Sequence, residues 1–266
     1  MLISYPFYMN LPEIICMKHS KWLAASLATL MISTMIPAEP QRTVFTQENR
    51  LPDWEQIEAG ITIHYREAAD RFNGAEITET VPYLRYGISR DIAVQIGMPL
   101  VSIDPDFGNS ESGLGDIEIS FLLRAHQDLF GYPYFIPHLT VTLPTGDDGK
   151  GLGEGDPVFT AGLSYGDKMY DFISWVWDAS YRVNPNTDNQ FMLSASVLWH
   201  VSDQLVFIAE ARYSDKADLN PDDNSILGLG GMVYNFSDAL QMGVYLGTGF
   251  TDDTDALGQF RLSYSF

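Results

Sequence analysis

The stretch that most constrains this chain is its last, Ala256–Phe266. From Phe260 on, every second residue is large and apolar: Phe260, Leu262, Tyr264 and Phe266 alternate with Arg261, Ser263 and Ser265. That is the period of a β-strand with one greasy and one polar face. Such a strand, ending on an aromatic residue, suits an outer-membrane β-barrel, whose last strand pairs with its first so that no unpaired backbone meets lipid.

The preceding chain supplies further strands of the same kind. Gln56–Arg66 sets Ile57, Ala59, Ile61, Ile63 and Tyr65 against Glu58, Thr62 and His64; Tyr170–Val183 sets Ile173, Trp175, Trp177, Ala179 and Tyr181 against Ser174, Asp178, Ser180 and Arg182. Gln190–Val201, Leu205–Tyr213 and Leu240–Phe250 alternate alike, whereas Glu76–Ile88 and the Gly-rich Ser225–Phe236 leave their faces ambiguous. About twelve segments result, and an even number returns both ends of a barrel to the periplasm. The links agree. Ser89-Arg90, 127–133, 167–169, 202–204 and 237–239 fall on the periplasmic side and are mostly short, and the intervening links are mostly longer. The expected fold is all-β: a transmembrane antiparallel up-and-down barrel of about 12 strands over residues 55–266, with no plug domain. The aromatic residues of one face suit lipid, while the Ser, Thr and Gly of the other suit a confined lumen better than open water.

The amino-terminal side carries Met17-Lys18-His19-Ser20-Lys21, then an apolar run from Trp22 to Ile36, then Pro37-Ala38. This order reads as a signal peptide over 17–38, too short to span a bilayer as an anchor. Residues 1–16 then precede the true start. Residues 39–54 are polar, hold two prolines, and are expected to hang in the periplasm as a tail. With 35 acidic against 15 basic residues and a net charge of −20, the chain is a poor partner for nucleic acid. A single cysteine, Cys16, excludes an intrachain disulfide and a cysteine-based zinc site. No cofactor or metal site is expected.

Several short motifs resemble a known family. Arg85-Tyr86-Gly87-Ile88 precedes Arg90-Asp91; Ser112-Gly113-Leu114-Gly115-Asp116 leads into the fourth strand; Pro144-Thr145-Gly146 and Tyr165-Gly166 end the fifth and sixth; Phe266 ends the last. Together they resemble the outer-membrane barrels named for the MetA pathway of phenol degradation, over roughly residues 55–266. Membership implies an outer-membrane channel for small solutes, hydrophobic or aromatic compounds among them, with outer-membrane lipid and lipopolysaccharide around it. The motifs themselves are glycine-based and read as turns.

Parity places a set of charged side chains in the lumen. The constriction candidates are Glu118, Arg124, His138, Asp178, Arg182, Glu210, Arg212 and Arg261, with Glu58, His64 and Asp116 on the same face. Opposite charges in a narrow barrel pair, because isolated burial is costly. Such pairs act either as a selecting ring or as structural filling. Two other readings stand beside the channel. One is a lipid hydrolase, for which His200-Val201-Ser202-Asp203 is the nearest local match. The other is a non-conducting barrel whose acidic outer loops bind partners or lipopolysaccharide. Gly149–Gly155 is laced with acid and lacks a Gly-Lys-Ser/Thr, so it reads as a flexible external loop rather than a phosphate loop.

Overall fold

A computed structural model describes residues 40–69, 74–185, 189–216, 224–251 and 254–266. The expected signal peptide and the extension before it lie outside the described residues. The strands are β1 (Ile57–Ala68), β2 (Glu76–Ser89), β3 (Ile92–Gly97), β4 (Leu100–Asp104), β5 (Glu111–Leu114), β6 (Ile117–Leu123), β7 (His126–Gln127), β8 (Tyr134–Leu143), β9 (Val158–Tyr170), β10 (Ile173–Val183), β11 (Gln190–His200), β12 (Leu205–Ser214), β13 (Ser225–Asn235), β14 (Leu240–Gly249) and β15 (Thr254–Ser265). All pairings are antiparallel, and the sheet runs from β1 round to β2, which pairs back to β1. Two staves of the wall are each built from two strands, β3 with β4 and β5 with β6, so the closed ring has 12 staves.

Closure is made where the last strand suggests. β15 lies along β1 in the register Glu58↔Ser265 to Glu67↔Ala256, and the Phe266 amide adds a bond to the Ile57 carbonyl at 2.7 Å. Leu262, Tyr264 and Phe266 point outward, while Ser263 and Ser265 are each 1% exposed and face inward. Truncation before Thr254 would leave β1 and β14 as bare edges in hydrocarbon. The expected outcome is loss of the folded, heat-modifiable band on electrophoresis.

The broken staves correct two boundaries. The third stave is interrupted at Met98-Pro99, where proline has no N–H for the ladder. Residues 111–114, expected in an outer loop, form β5 beside β4. β9 runs on to Tyr170, so the link to β10 shrinks to Asp171-Phe172. An aromatic band circles the short-turn end: Phe135 with Tyr165 (4.8 Å between ring centroids), Tyr165 with Trp175 (5.3 Å), Trp199 with Phe207 (6.2 Å), Tyr234 with Phe236 (5.0 Å) and Tyr264 with Phe266 (4.8 Å). Rings that are apolar on one side and polar at one edge settle at a membrane–water interface.

The lumen is not a uniform polar bore. Toward the short-turn end the inward face carries Ala93, Leu122, Ile136, Val176, Leu198, Val206, Ile208 and Val233, all buried, with Tyr134 and Tyr245 among them. This apolar cluster needs something to pack against. It receives Leu51 and Val44, from before the first strand.

Candidate functional site: the occupied lumen

Asp53 and Trp54 are exposed where the chain turns into β1, but residues 40–52 do not hang in the periplasm. They enter the barrel from the short-turn end and fold back inside it, which overturns the expected tail. The reason lies in the wall. Glu210 and Arg261 are luminal charges whose partners in the structure come largely from this segment. The Glu210 carboxylate accepts the Val44 and Phe45 amides, both at 2.7 Å. Arg261 donates to the Gln41 and Thr43 carbonyls at 3.0 and 3.1 Å, and the Tyr245 hydroxyl donates to the Arg42 carbonyl. Thr46 and Ser196 share a hydrogen bond of 2.8 Å. The Arg212 guanidinium sits 4.9 Å from the centroid of the Phe45 ring, a cation–π contact. Buried backbone donors and acceptors must be paired. The wall thus supplies the bonds that a short segment without secondary structure cannot make for itself.

The segment also pairs with itself. Arg42 grips Glu48 through a 2.5 Å ion pair and a backbone bond of 2.9 Å, and Arg50 lies 3.9 Å from the same carboxylate. Burial alone would raise the Glu48 carboxyl, but Arg42 and Arg50 outweigh it and hold it at about 2. At the bend into β1, Glu55 takes a left-handed φ of 64°, a conformation that costs a non-glycine residue energy.

A second network joins wall to segment. The Gln47 amide donates to Ser164 at 3.1 Å, Ser164 donates to Asp178, and His138 Nε2 lies 2.7 Å from the same Asp178 oxygen. Serine and histidine thus both spend themselves on the acid, and no serine–histidine contact primes a nucleophile here. Elsewhere Ser174 Oγ meets His200 Nε2 at 2.8 Å, while Arg42 donates to His200 Nδ1 at 3.2 Å. Arginine cannot accept, so Nδ1 is unprotonated, and a neutral His200 carries its proton on Nε2. In that tautomer it donates to Ser174 and cannot act as its base. Ser202 instead caps its turn, accepting from the Leu205 amide at 3.1 Å. His200→Ala is therefore expected to leave any lipid hydrolysis by the purified protein unchanged, as read by fatty-acid release.

The remaining candidates fall elsewhere. Arg182 pairs with Glu154 near the long-loop end, where Asn184 also donates to Glu154 at 2.7 Å. Glu154 belongs to the loop 144–157, which is pinned inward rather than left free: Asp116 accepts the Gly146 and Glu154 amides, both at 2.7 Å, and Leu152 is buried against Gly113 and Gly115. Glu118 faces a luminal cavity. Arg124 is not in a constriction. It lies beyond β6 at the short-turn rim, 3.8 Å from Asp91. The ambiguous face of β2 hid a buried group: Arg85 bonds Glu58 at 3.3 Å and Gln95 at 2.9 and 2.6 Å, and Tyr83 donates to Glu58 at 2.7 Å. Glu58, fully buried, was the signal for a missing cationic neighbour.

These contacts give the short motifs a purpose beyond turns. A Cβ on Gly87 would stand 1.9 Å from the Asp53 carbonyl oxygen, so this glycine makes room for the segment as it leaves the lumen. A Cβ on Gly166 would strike the Tyr134 ring at 2.1 Å. Gly146 and Asp116 hold each other. A family model described as MetA-pathway of phenol degradation matches residues 56–266, which contain Gly87, Asp116, Tyr134, Gly146 and Gly166. The chain belongs to that family. Among solved structures, an outer membrane channel from Pseudomonas putida F1 is similar with a TM-score of 0.65 at 15% identity, over 86% of this chain and 100% of that one. The KdgM porin gives 0.55 at 8% identity over 79% and 99%, and the NanC porin 0.54 at 8% over 78% and 98%. At such identities the likeness is one of fold: this family member has the β-barrel of outer-membrane channels and porins. No curated protein matches the chain.

Proposed function

We propose that this protein is a passive outer-membrane channel for small solutes, held closed at rest by residues 40–51. The observation that carries the reading is the way the segment is held. It is a folded-back peptide without helix or strand, fixed by hydrogen bonds, by the pairing of Glu48 with Arg42 and Arg50 and by the apolar side chains of Val44 and Leu51, inside a barrel whose architecture it does not complete. Every wall staff pairs without it. A peptide held in this way can leave and return without unfolding the barrel. Membership in the family and likeness in fold to the Pseudomonas putida channel support the outer-membrane setting, with lipid and lipopolysaccharide around the wall. Export by the signal peptide over 17–38 fits this reading, since cleavage near Ala38 leaves a chain that begins at the luminal segment. The protein acts without catalysis, and a hydrolase finds no primed nucleophile at the two serine–histidine sites described.

Planar-bilayer recording tests the reading. Intact protein is expected to show rare, small openings, and a variant lacking 40–51 frequent, larger ones. A folded deletion variant that stays silent would make this a non-conducting barrel. The seat also has an acid dependence. Glu48 is held at about 2 and returns to about 4.5 once the segment is out. A lowered pKa stabilises the seated form fully above the higher value and ceases to do so as pH falls through the lower one. Open probability is therefore expected to climb as pH drops from about 4.5 toward 2, and Glu48→Gln to flatten that climb.

A further inference from the structure

Beside the segment the lumen keeps a cavity of about 340 Å³ between the staves β1, β2, β6 and β8, floored by the segment itself. Its wall is polar; Val44, Val81 and Leu122 are its aliphatic members. An apolar hydrocarbon would find little to pack against there and would strip water from hydroxyls, amides and charges. The cavity's two arginines are already engaged, and His64 lines it beside them. Arg85 is bound to Glu58 and Gln95, and Arg261 to two carbonyls of the segment. His138 is spent on Asp178.

Two carboxylates remain. Glu79 and Glu118 face the same space from β2 and β6, and Glu79 acts on Glu118 through space. Glu118 pairs in register with Gly97 of β3, and Glu79 with Val101 of β4, so the two carboxylates approach from either side of the third stave. Arg66 acts on Glu79 and Arg182 on Glu118 from a distance, but among the described residues neither carboxylate has an ion-pair partner. On the floor, Gln47 Oε1 is a buried acceptor with no hydrogen-bond donor. The uncommitted charges and this orphan atom are thus all acceptors. Such a wall is complementary to a ligand that brings donors and positive charge.

We propose that this cavity is a subsite for a small polar solute carrying an ammonium group, with the amine between Glu79 and Glu118 and its remaining donors toward Gln47. The proposal rests on the channel reading for its purpose, though not for its chemistry. Three probes of nearly equal size and different charge test it: glucosamine, glucose and glucuronate, at neutral pH, where the amine is charged and the carboxylates are not driven to protonate. Calorimetric titration of the folded full-length barrel in detergent reads the subsite, and uptake into liposomes bearing the 40–51 deletion reads the channel. Glucosamine is expected to bind about tenfold more tightly than glucose, with glucuronate weaker still. In Glu79→Gln/Glu118→Gln the three should converge while the heat-modifiable band persists. Equal binding of all three by the wild type, or a preference unchanged in the double variant, overturns the subsite. If that variant loses its folded band, Glu118→Gln alone replaces it, with a reduced preference expected. Binding that discriminates without uptake of any probe would keep the subsite and reject the channel. Uptake by the deletion variant together with equal binding of all three probes by the full-length barrel would do the reverse.

Discussion

Deleting residues 40–51 is expected to raise the conductance of this barrel several-fold and to replace rare openings with a steady open level. The expectation follows from what the segment occupies. It fills the lumen against β9 to β15 and brings Leu51 and Val44 to the apolar cluster of the short-turn half. It contributes no hydrogen bond between one stave and the next, so the ladder from β1 to β15 survives its loss. Folding of the deletion variant is read by the heat-modifiable band, and its conductance in the same bilayers as the wild type. Gly87→Ala should move in the same direction by another route. The added methyl would meet backbone at Asp53 and Pro52, which cannot swing aside as a side chain does, so the segment must shift where it enters.

Glu210→Ala should unseat the segment with nearly the same effect from a single wall position. The carboxylate accepts two backbone amides at 2.7 Å in a water-poor setting. The alanine would leave both amides as unpaired buried donors, at a cost of about 1–3 kcal/mol each. A loss of about 3 kcal/mol lowers the ratio of seated to unseated segment by about a hundredfold. Glu210→Gln keeps one acceptor oxygen and is expected to fall between alanine and wild type in open probability. Equal open probability in all three would mean that Glu210 does not hold the segment.

The wall could be read from the sequence because a lipid-facing strand obeys a strict rule. Its residues alternate, its backbone must close, and its links alternate in length with the side they lie on. Phe260, Leu262, Tyr264 and Phe266 stated the rule plainly. The contents of the lumen obey no period. Residues 40–54 make neither helix nor strand, and their order in the structure comes from contacts with residues more than a hundred positions away, such as Val44 with Glu210. A sign was nonetheless present. Val176, Leu198, Val206, Ile208 and Val233 put apolar side chains on the face assigned to a watery lumen, all in the short-turn halves of neighbouring strands. Apolar residues on both faces of a barrel wall mean that something is packed inside. Glu210, Arg212 and Arg261 do lie inside the barrel, where they meet the segment. Their partners went unseen because those partners include backbone amides, backbone carbonyls and a phenyl ring of a segment assigned to the periplasm.

The most direct test locks the segment in place. Thr46 and Ser196 touch across the lumen at 2.8 Å, and the sequence offers Cys16 as its one native cysteine. In Thr46→Cys/Ser196→Cys, side chains this close are expected to form a disulfide on mild oxidation. Recorded in the same bilayer, the oxidised protein should stay shut and the reduced protein should open at least as often as the wild type. Openings of equal size and frequency in the two states, with the disulfide verified by mass spectrometry, would contradict a lumen closed by its own amino-terminal segment.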